Sequence, residues 1–319
     1  MLRALDRRLV NGLASGGHNP TSVIARTSMP PGKSSLFLNR IDIGNEGEAV
    51  ARLVEKAVRH DSRELSFWHG STWPNPILSA ESYNTVSPLD LHIGNPVSVL
   101  YFPYVPALDR DKKTLQREFC SNLMAIAAAV ADFNGHNMSN PRSKTRRPVR
   151  FKAVRPTQSD IQARLGVTGD DAKALLRSWD QAYVAWHATR TTLDRLAWCL
   201  CHNDVSPGNS TLTDGVLTLA DFGLACAGPV GSDLHTLIRW SGKAIADPAH
   251  VDGLVAAYAG PIRAYDESIS LEDVRLVAWA TFFVRYTNLK FSSARYPNTF
   301  SLAIRRMIEV SRIDSAPSW

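Results

Sequence analysis

Three oxygen-bearing side chains stand at fixed intervals in one short stretch of this chain. Asp204 is followed five residues later by Asn209, and twelve residues after that comes Asp221, with Phe222 and Gly223 behind it. Phosphoryl transfer from a nucleotide needs these groups. One carboxylate accepts or orients the proton of an attacking hydroxyl, while an amide oxygen and a second carboxylate hold a metal that bridges the phosphates. Asp204 is thus the candidate catalytic base, and Asn209 and Asp221 the candidate metal ligands. Mg2+ suits them, because hard oxygen donors from protein and phosphate complete its shell. A lone Asp in a Pro-Gly turn is usually a turn cap, but capping does not account for two more residues at these offsets. His202 reads as support for the loop, bonding backbone carbonyls beside Asp204. Cys199, Cys201 and His202 lack the fourth ligand and second pair of a zinc site, and read as buried thiols.

The elements around this stretch must deliver it. Residues 196–201 form an apolar run leading into the Asp204 loop. Residues 216–220 read as a short strand ending at Asp221, and Ser232-Asp233 as an N-cap for a helix over 234–240. Helical patterning covers 115–132, 171–196, 251–265, 271–291 and 300–311. The first hundred residues read instead as strands over 9–14, 21–26, 35–41 and 98–102, with one helix at 45–54. Pro103 ends the last strand. Gly16 and Gly17, between two strands, would let backbone amides approach phosphates without a Cβ in the way. Arg40 is the first candidate for the cation that neutralises the phosphates, with Lys33 a weaker one. Glu48 or Glu46 on the expected helix would pair with it.

Composition narrows the class. The chain has 319 residues, 44% hydrophobic and 21% charged, with no apolar run long enough for a bilayer. Four cysteines are too few for a disulfide scaffold, which suits reduced thiols in a cytoplasm. The net charge of +6 is local in origin. Arg142, Lys144, Arg146, Arg147, Arg150, Lys152 and Arg155 account for it, and the remaining basic residues balance the acidic ones to within one. Without a distributed basic face, a nucleic-acid partner is not expected, and the proline-interrupted run reads as a solvated loop.

His202-Asn203-Asp204, four further residues and Asn209 resemble the catalytic motif of the kinase-like small-molecule phosphotransferases, the choline/ethanolamine kinases and aminoglycoside phosphotransferases. Cys201-His202-Asn203-Asp204 is closer to the choline-kinase branch, since aminoglycoside enzymes usually carry Gly where Asn203 stands. Gly16-Gly17-His18-Asn19 is similar to the family's glycine loop, and Leu38-Asn39-Arg40-Ile41 to a strand end. Tyr101-Phe102-Pro103-Tyr104-Val105 is similar to the hinge, where Phe102 and Tyr104 would border adenine. Asp233-Leu234 matches the pair after the metal aspartate. Gly223 departs from choline kinases, which place an acid there.

The resemblance implies an α+β, bilobal, protein-kinase-like fold. Residues 1–102 would form a small antiparallel N-lobe with one helix, 103–108 a hinge, and 109–319 a mostly helical C-lobe. It also implies ATP and Mg2+, with Gly16, Gly17, Asn19, Arg40 and Glu48 on the nucleotide side. The acceptor is a small molecule bearing a hydroxyl, with a choline-like amino-alcohol as first expectation. Trp240, Trp279 and Tyr286 would then supply an aromatic cage. An antibiotic phosphotransferase is the alternative enzyme. A nucleotide-binding pseudokinase or interaction protein is the alternative of another class, and the intact Asp204, Asn209 and Asp221 argue against it.

Overall fold

A computed structural model describes residues 22–29, 35–45, 48–59, 61–69, 80–86, 88, 90–93, 97–108, 110–138, 153–241, 247–289 and 297–313. The expected strand at 9–14, Gly16, Gly17, Asn19, Lys33, Glu46 and the basic run 142–152 lie outside the described residues.

Five strands form an antiparallel sheet in the order β1-β2-β3-β6-β5. They are β1 (Ser22–Met29), β2 (Phe37–Asn45), β3 (Glu48–Arg59), β5 (Asp90–His92) and β6 (Val97–Pro103). Of the stretch 45–54, expected as a helix, residues 48–54 are the first part of β3 and not helical. Its alanines and charges favour a helix weakly, but pairing on both sides wins: Leu53 lies opposite Ile41, and Ala57 opposite both Phe37 and Val99. The strand is covered on both faces, so the sequence loses the alternation that marks a half-exposed strand. Leu53 and Ala57 pack with Ile41, Ile43, Val99 and Tyr101 on one face. Val54 and Val58 join Leu100 and Phe102 in the main core on the other. The one N-terminal helix among the described residues is α1 (Arg63–His69).

After Pro103 the chain turns helical, with α2 (Lys112–Ser121), α3 (Leu123–His136), α4 (Gln158–Leu165), α5 (Gly169–Arg195), α6 (Leu234–Trp240), α7 (Pro248–Ile262), α8 (Leu271–Thr287) and α9 (Pro297–Ile313). The single helix expected over 115–132 is divided at Asn122, whose φ of −113° leaves the helical region. Its side-chain amide donates back to the Glu118 carbonyl at 2.8 Å. In α5, Trp179, Ala182, Trp186, Thr189 and Leu193 make one buried stripe at helical spacing.

Two small sheets thread these helices. β7 (Trp198–Cys201) pairs with β10 (Cys226–Pro229), and β9 (Val216–Leu219) lies between β8 (Ser210–Thr213) and β4 (Tyr83–Thr85). β4 runs parallel to β9, so a strand from the first hundred residues is stitched into the helical part. Among the described residues no helix is long and apolar enough to cross a membrane.

Candidate active site

Asp204 lies on the loop from β7 to β8, and Asp221 directly follows β9 and Ala220. The antiparallel β8–β9 pair places Ser210 opposite Leu219. The Ala220 amide then donates to the Asn209 carbonyl at 2.8 Å, so the two candidate metal ligands come to neighbouring ends of one ladder. Asn209 Nδ2 donates to Asp204 Oδ2 at 2.9 Å and to the Asp204 carbonyl at 3.2 Å.

A buried scaffold holds the loop in place. Asp233 is fully buried, and its carboxylate accepts the His202 amide at 3.0 Å and the Asn203 amide at 2.6 Å. It also accepts Asn134 Nδ2 at 3.0 Å, and Asn134 Oδ1 in turn accepts the Tyr258 hydroxyl at 2.7 Å. Asp233 therefore does more than precede α6; its side chain faces the catalytic loop and makes no capping bond to the helix. His202 Nε2 bonds the Ala220 carbonyl at 2.9 Å, and its Nδ1 accepts the Asp204 amide at 3.3 Å. Those partners place a hydrogen on Nε2. His202 thus ties Asp204 to the strand end that delivers Asp221.

The cation that reaches Asp221 is Lys56 on β3. Its Nζ lies 2.7 Å from Glu64 Oε2 and 3.1 Å from Asp221 Oδ1. The sequence had pointed to Arg40 and Glu48 instead. Arg40 sits on β2 opposite Val54, and Glu48 begins β3 opposite Asn45. The glutamate that pairs is Glu64 of α1, buried like Lys56. Burial works against the Lys56 charge, but Glu64 and Asp221 outweigh it and hold the ammonium above its ordinary value. Burial pushes the Glu64 carboxyl up, with Lys56 opposing. The ammonium is the charge this cluster protects.

Phe222 locks α1 to this arrangement. Its fully buried ring stacks on Phe67 at 5.4 Å, meets Trp68 at 5.6 Å, and meets His202 edge-on at 4.6 Å. One ring thereby touches both the helix that carries Glu64 and the loop that carries Asp204. Asp221 adopts a left-handed φ of 59°. Gly223 follows because a Cβ there would come within 3.2 Å of Asp221 Oδ1.

The donors present suit a hard divalent cation. Lys56 and the Gly223 amide both engage Oδ1 of Asp221, whose side chain is 38% exposed. With Asn209 Oδ1 this makes two oxygen donors, as expected where phosphates and water supply the rest of a Mg2+ shell. Burial raises the Asp204 carboxyl above its ordinary value, and Asp221 adds to that; His202 first, then Arg239 and the Asn209 hydrogen bond, oppose it.

The remaining expected residues divide. Phe102 is buried against Trp68 at 6.2 Å. The Tyr104 amide donates to the Arg52 carbonyl at 3.2 Å, beside Pro103, which has no N–H. Trp240 and Tyr286 are half-buried, with the Arg239 guanidinium 5.7 Å and 5.8 Å from their ring centres. Trp279 is a core residue instead, packed on Phe282 at 5.4 Å and covered by Arg306 at 5.8 Å. The residues missed from sequence are Lys56, Glu64 and Asn134. A lysine inside the largely apolar run 53–58 is the one signal that pointed to Lys56.

The chain matches the profile of the phosphotransferase enzyme family over residues 40–268. No curated protein matches it. Among solved structures it is similar to choline kinase from Cryptosporidium parvum Iowa II, with 10% identity, 91% of this chain and 90% of that chain covered, and a TM-score of 0.53. It is similar to an amicoumacin kinase in complex with AMP-PNP and Ca2+, with 11% identity, 90% and 88% covered, and a TM-score of 0.50. A thermostable mutant of aminoglycoside phosphotransferase APH(4)-Ia gives 13%, 93% and 96%, and 0.49. At these identities the likeness is one of fold.

Proposed function

The chain belongs to the phosphotransferase enzyme family, and we propose that it transfers the γ-phosphate of ATP to a hydroxyl of a small molecule. Asp204 accepts or orients the hydroxyl proton. Asn209 and Asp221 would hold Mg2+, which would supply positive charge against the nucleotide phosphates. Lys56, fixed by Glu64, presents its ammonium to the same phosphates. Residues 103–108 serve as the hinge, with Phe102 and Tyr104 bordering the base. The observation that carries this reading is the continuous chain of contacts from Glu64 through Lys56 to Asp221, joined through Ala220 to Asn209 and Asp204. A pseudokinase has no need of that complete set.

The test is Mg2+-dependent release of ADP from ATP. The parent protein turns over ATP, chelation of the metal stops it, and Asp221→Asn lowers kcat by roughly 10²-fold or more, as loss of a charge-stabilising group does. Undiminished turnover in Asp221→Asn would refute the assignment.

The rings expected to form an aromatic cage argue against a choline-like acceptor. A quaternary ammonium needs open aromatic faces. Trp279 lies in the core, and Arg239 already stands over the rings of Trp240 and Tyr286. A polycationic aminoglycoside meets the same positive charge.

A further inference from the structure

Cys199, Cys201 and Cys226 have no task in the phosphotransfer reading, on which the present inference rests for its effect on activity. We propose that Cys226 and Cys201 form a reversible disulfide when the protein meets hydrogen peroxide, and that the bridge slows phosphoryl transfer by displacing the catalytic loop.

Strand pairing brings the two thiols together. β7 and β10 are antiparallel, with Cys226 directly opposite Cys201 and Gly228 opposite Cys199. Directly opposed residues point their side chains to the same face, and their Cα atoms lie about 4.5–5.5 Å apart, inside the window of about 4.4–6.8 Å that a disulfide spans. Asn203 Nδ2 ties the pair to the catalytic loop, donating to Cys226 Sγ at 3.1 Å and to the Cys201 carbonyl at 3.3 Å. Cys199 Sγ also lies 3.6 Å from Cys201 Sγ. Two steps along one strand, however, separate Cα atoms by about 6.6 Å, at the far edge of that window, so the cross-strand bridge is the less strained.

Exposure sets the order of events. Cys226 is half-buried, whereas Cys199 and Cys201 are fully buried. Peroxide therefore meets Cys226 first. The Cys226 sulfur attacks one peroxide oxygen, the O–O bond breaks, and a sulfenic acid and water result. The Cys201 sulfur then attacks the Cys226 sulfur, the S–O bond breaks, and the departing hydroxide takes the Cys201 proton as a second water. Two thiol sulfurs are oxidised and one peroxide is reduced. Cys199 first, then burial, hold the Cys201 thiol well above its ordinary range, so it resolves the sulfenic acid and does not initiate.

The bridge falls where the chain carries its catalytic groups. Cys201 stands three residues before Asp204 and Cys226 five after Asp221, so a bond between them closes a loop that contains Asp204, Asn209 and Asp221. In the reduced protein the two amides after Cys201 are held by Asp233 at 3.0 Å and 2.6 Å. Drawing Cys201 toward Cys226 pulls on both bonds and takes Cys226 Sγ from Asn203, whose buried Oδ1 already has no partner.

The test treats the reduced full chain with hydrogen peroxide, alkylates the remaining thiols and maps the peptides by mass spectrometry. A Cys201–Cys226 bridge forms, and dithiothreitol removes it. Mg2+-dependent ADP release falls roughly tenfold on oxidation, the scale of a sub-ångström displacement, and returns on reduction. In Cys226→Ser, whose hydroxyl can still accept from Asn203 and whose melting temperature establishes that it is folded, peroxide leaves the rate unchanged. Cys120→Ser keeps the sensitivity of the parent; Cys120 is the other half-buried thiol, bonded to the Trp240 carbonyl at 3.2 Å. The proposal is overturned by full alkylation of all four cysteines after peroxide, by a bridge between any other pair, by unchanged turnover of the bridged protein, or by inhibition that persists in Cys226→Ser. The peptide map needs neither a variant nor turnover. Absence of ADP release from the reduced parent would strike the phosphotransfer reading itself; turnover that ignores peroxide, with the thiols unbridged, strikes the disulfide alone.

Discussion

The catalytic segment 202–223 and the lysine arm of the N-terminal sheet meet at Asp221, yet they are built in opposite ways. The segment is local: Asp204, Asn209 and Asp221 are placed by a loop and one hairpin, and Asn209 bonds Asp204 only five residues away. The arm is assembled at long range. Lys56 reaches Asp221 across 165 residues of chain, and its partner Glu64 sits on a separate helix. A locally built site survives as a motif in the sequence. A site made by two distant elements does not, because nothing in the spacing of Lys56, Glu64 and Asp221 records that they touch.

Asp204→Asn gives the largest expected effect and acts on the local half alone. Loss of a general base lowers kcat by roughly 10²–10⁴-fold. Its effect on stability has the opposite sign. Burial raises the folded-state pKa of Asp204. Between the unfolded and folded values the native state holds more protons, so stability falls as pH climbs through that window and stays reduced above it. Asparagine removes this penalty. In metal-free buffer at neutral pH, Asp204→Asn therefore melts at or above the temperature of the parent, whereas a purely structural Asp204 requires a lower one.

Lys56→Met attacks the long-range half and should damage activity and stability together. Removing one partner of a buried pair strands the other, at a cost of about 3–5 kcal/mol. Urea unfolding measures it. Glu64→Gln leaves Lys56 with Asp221 and should lose less activity than Lys56→Met. The double change Lys56→Met with Glu64→Leu separates the roles. It should recover much of the stability, since an apolar pair replaces an ion pair, and recover none of the activity. Recovery of activity would mean that the ammonium serves the fold and not the phosphates.

The same contrast explains what was legible in the sequence. The Asp204-Asn209-Asp221 spacing, the strand before Asp221 and most of the helices after residue 110 carry local signals, in turn residues and 3.6-residue stripes. The antiparallel sheet and the helical remainder followed from them. β3 did not, because a strand covered on both faces hides its period, and Ala49, Ala51 and Arg52 favour a helix when read alone. With β3 read as a helix, Glu48 looked like the partner glutamate and Arg40 the cation. The Lys56–Glu64 pair became visible only once the register put Lys56 beside Leu100 on the core-facing side. The break at Asn122 and the core position of Trp279 were hidden for a related reason: burial is set by neighbours that the local sequence does not name.

Gly223→Ala probes the junction of the two halves. The added Cβ would press on Asp221 Oδ1 at 3.2 Å, the oxygen that Lys56 also contacts. The carboxylate must give by a few tenths of an ångström. A displacement near 1 Å costs about 10²-fold, so roughly a fivefold to tenfold loss in kcat is expected, with little change in melting temperature. An unchanged kcat would mean that Asp221 tolerates more movement than metal holding allows.

Asn203 gives the smallest effect and sharpens the claim that the catalytic loop is fixed by its own backbone. It has a left-handed φ of 62°, and its amide donates to Asp233 at 2.6 Å. That bond survives any substitution that keeps the backbone shape. The side chain adds contacts from Nδ2 to the Cys201 carbonyl at 3.3 Å and Cys226 Sγ at 3.1 Å, while its buried Oδ1 finds no partner. Asn203→Gly removes an unsatisfied oxygen and the strain, and loses two weak bonds. The balance should lie within about 1 kcal/mol of the parent. Asn203→Ala keeps the strain without the bonds and should cost about 1–2 kcal/mol. Chemical denaturation of the two variants decides the matter. If glycine costs as much as alanine, the side-chain bonds, and not the left-handed backbone held by Asp233, set the loop.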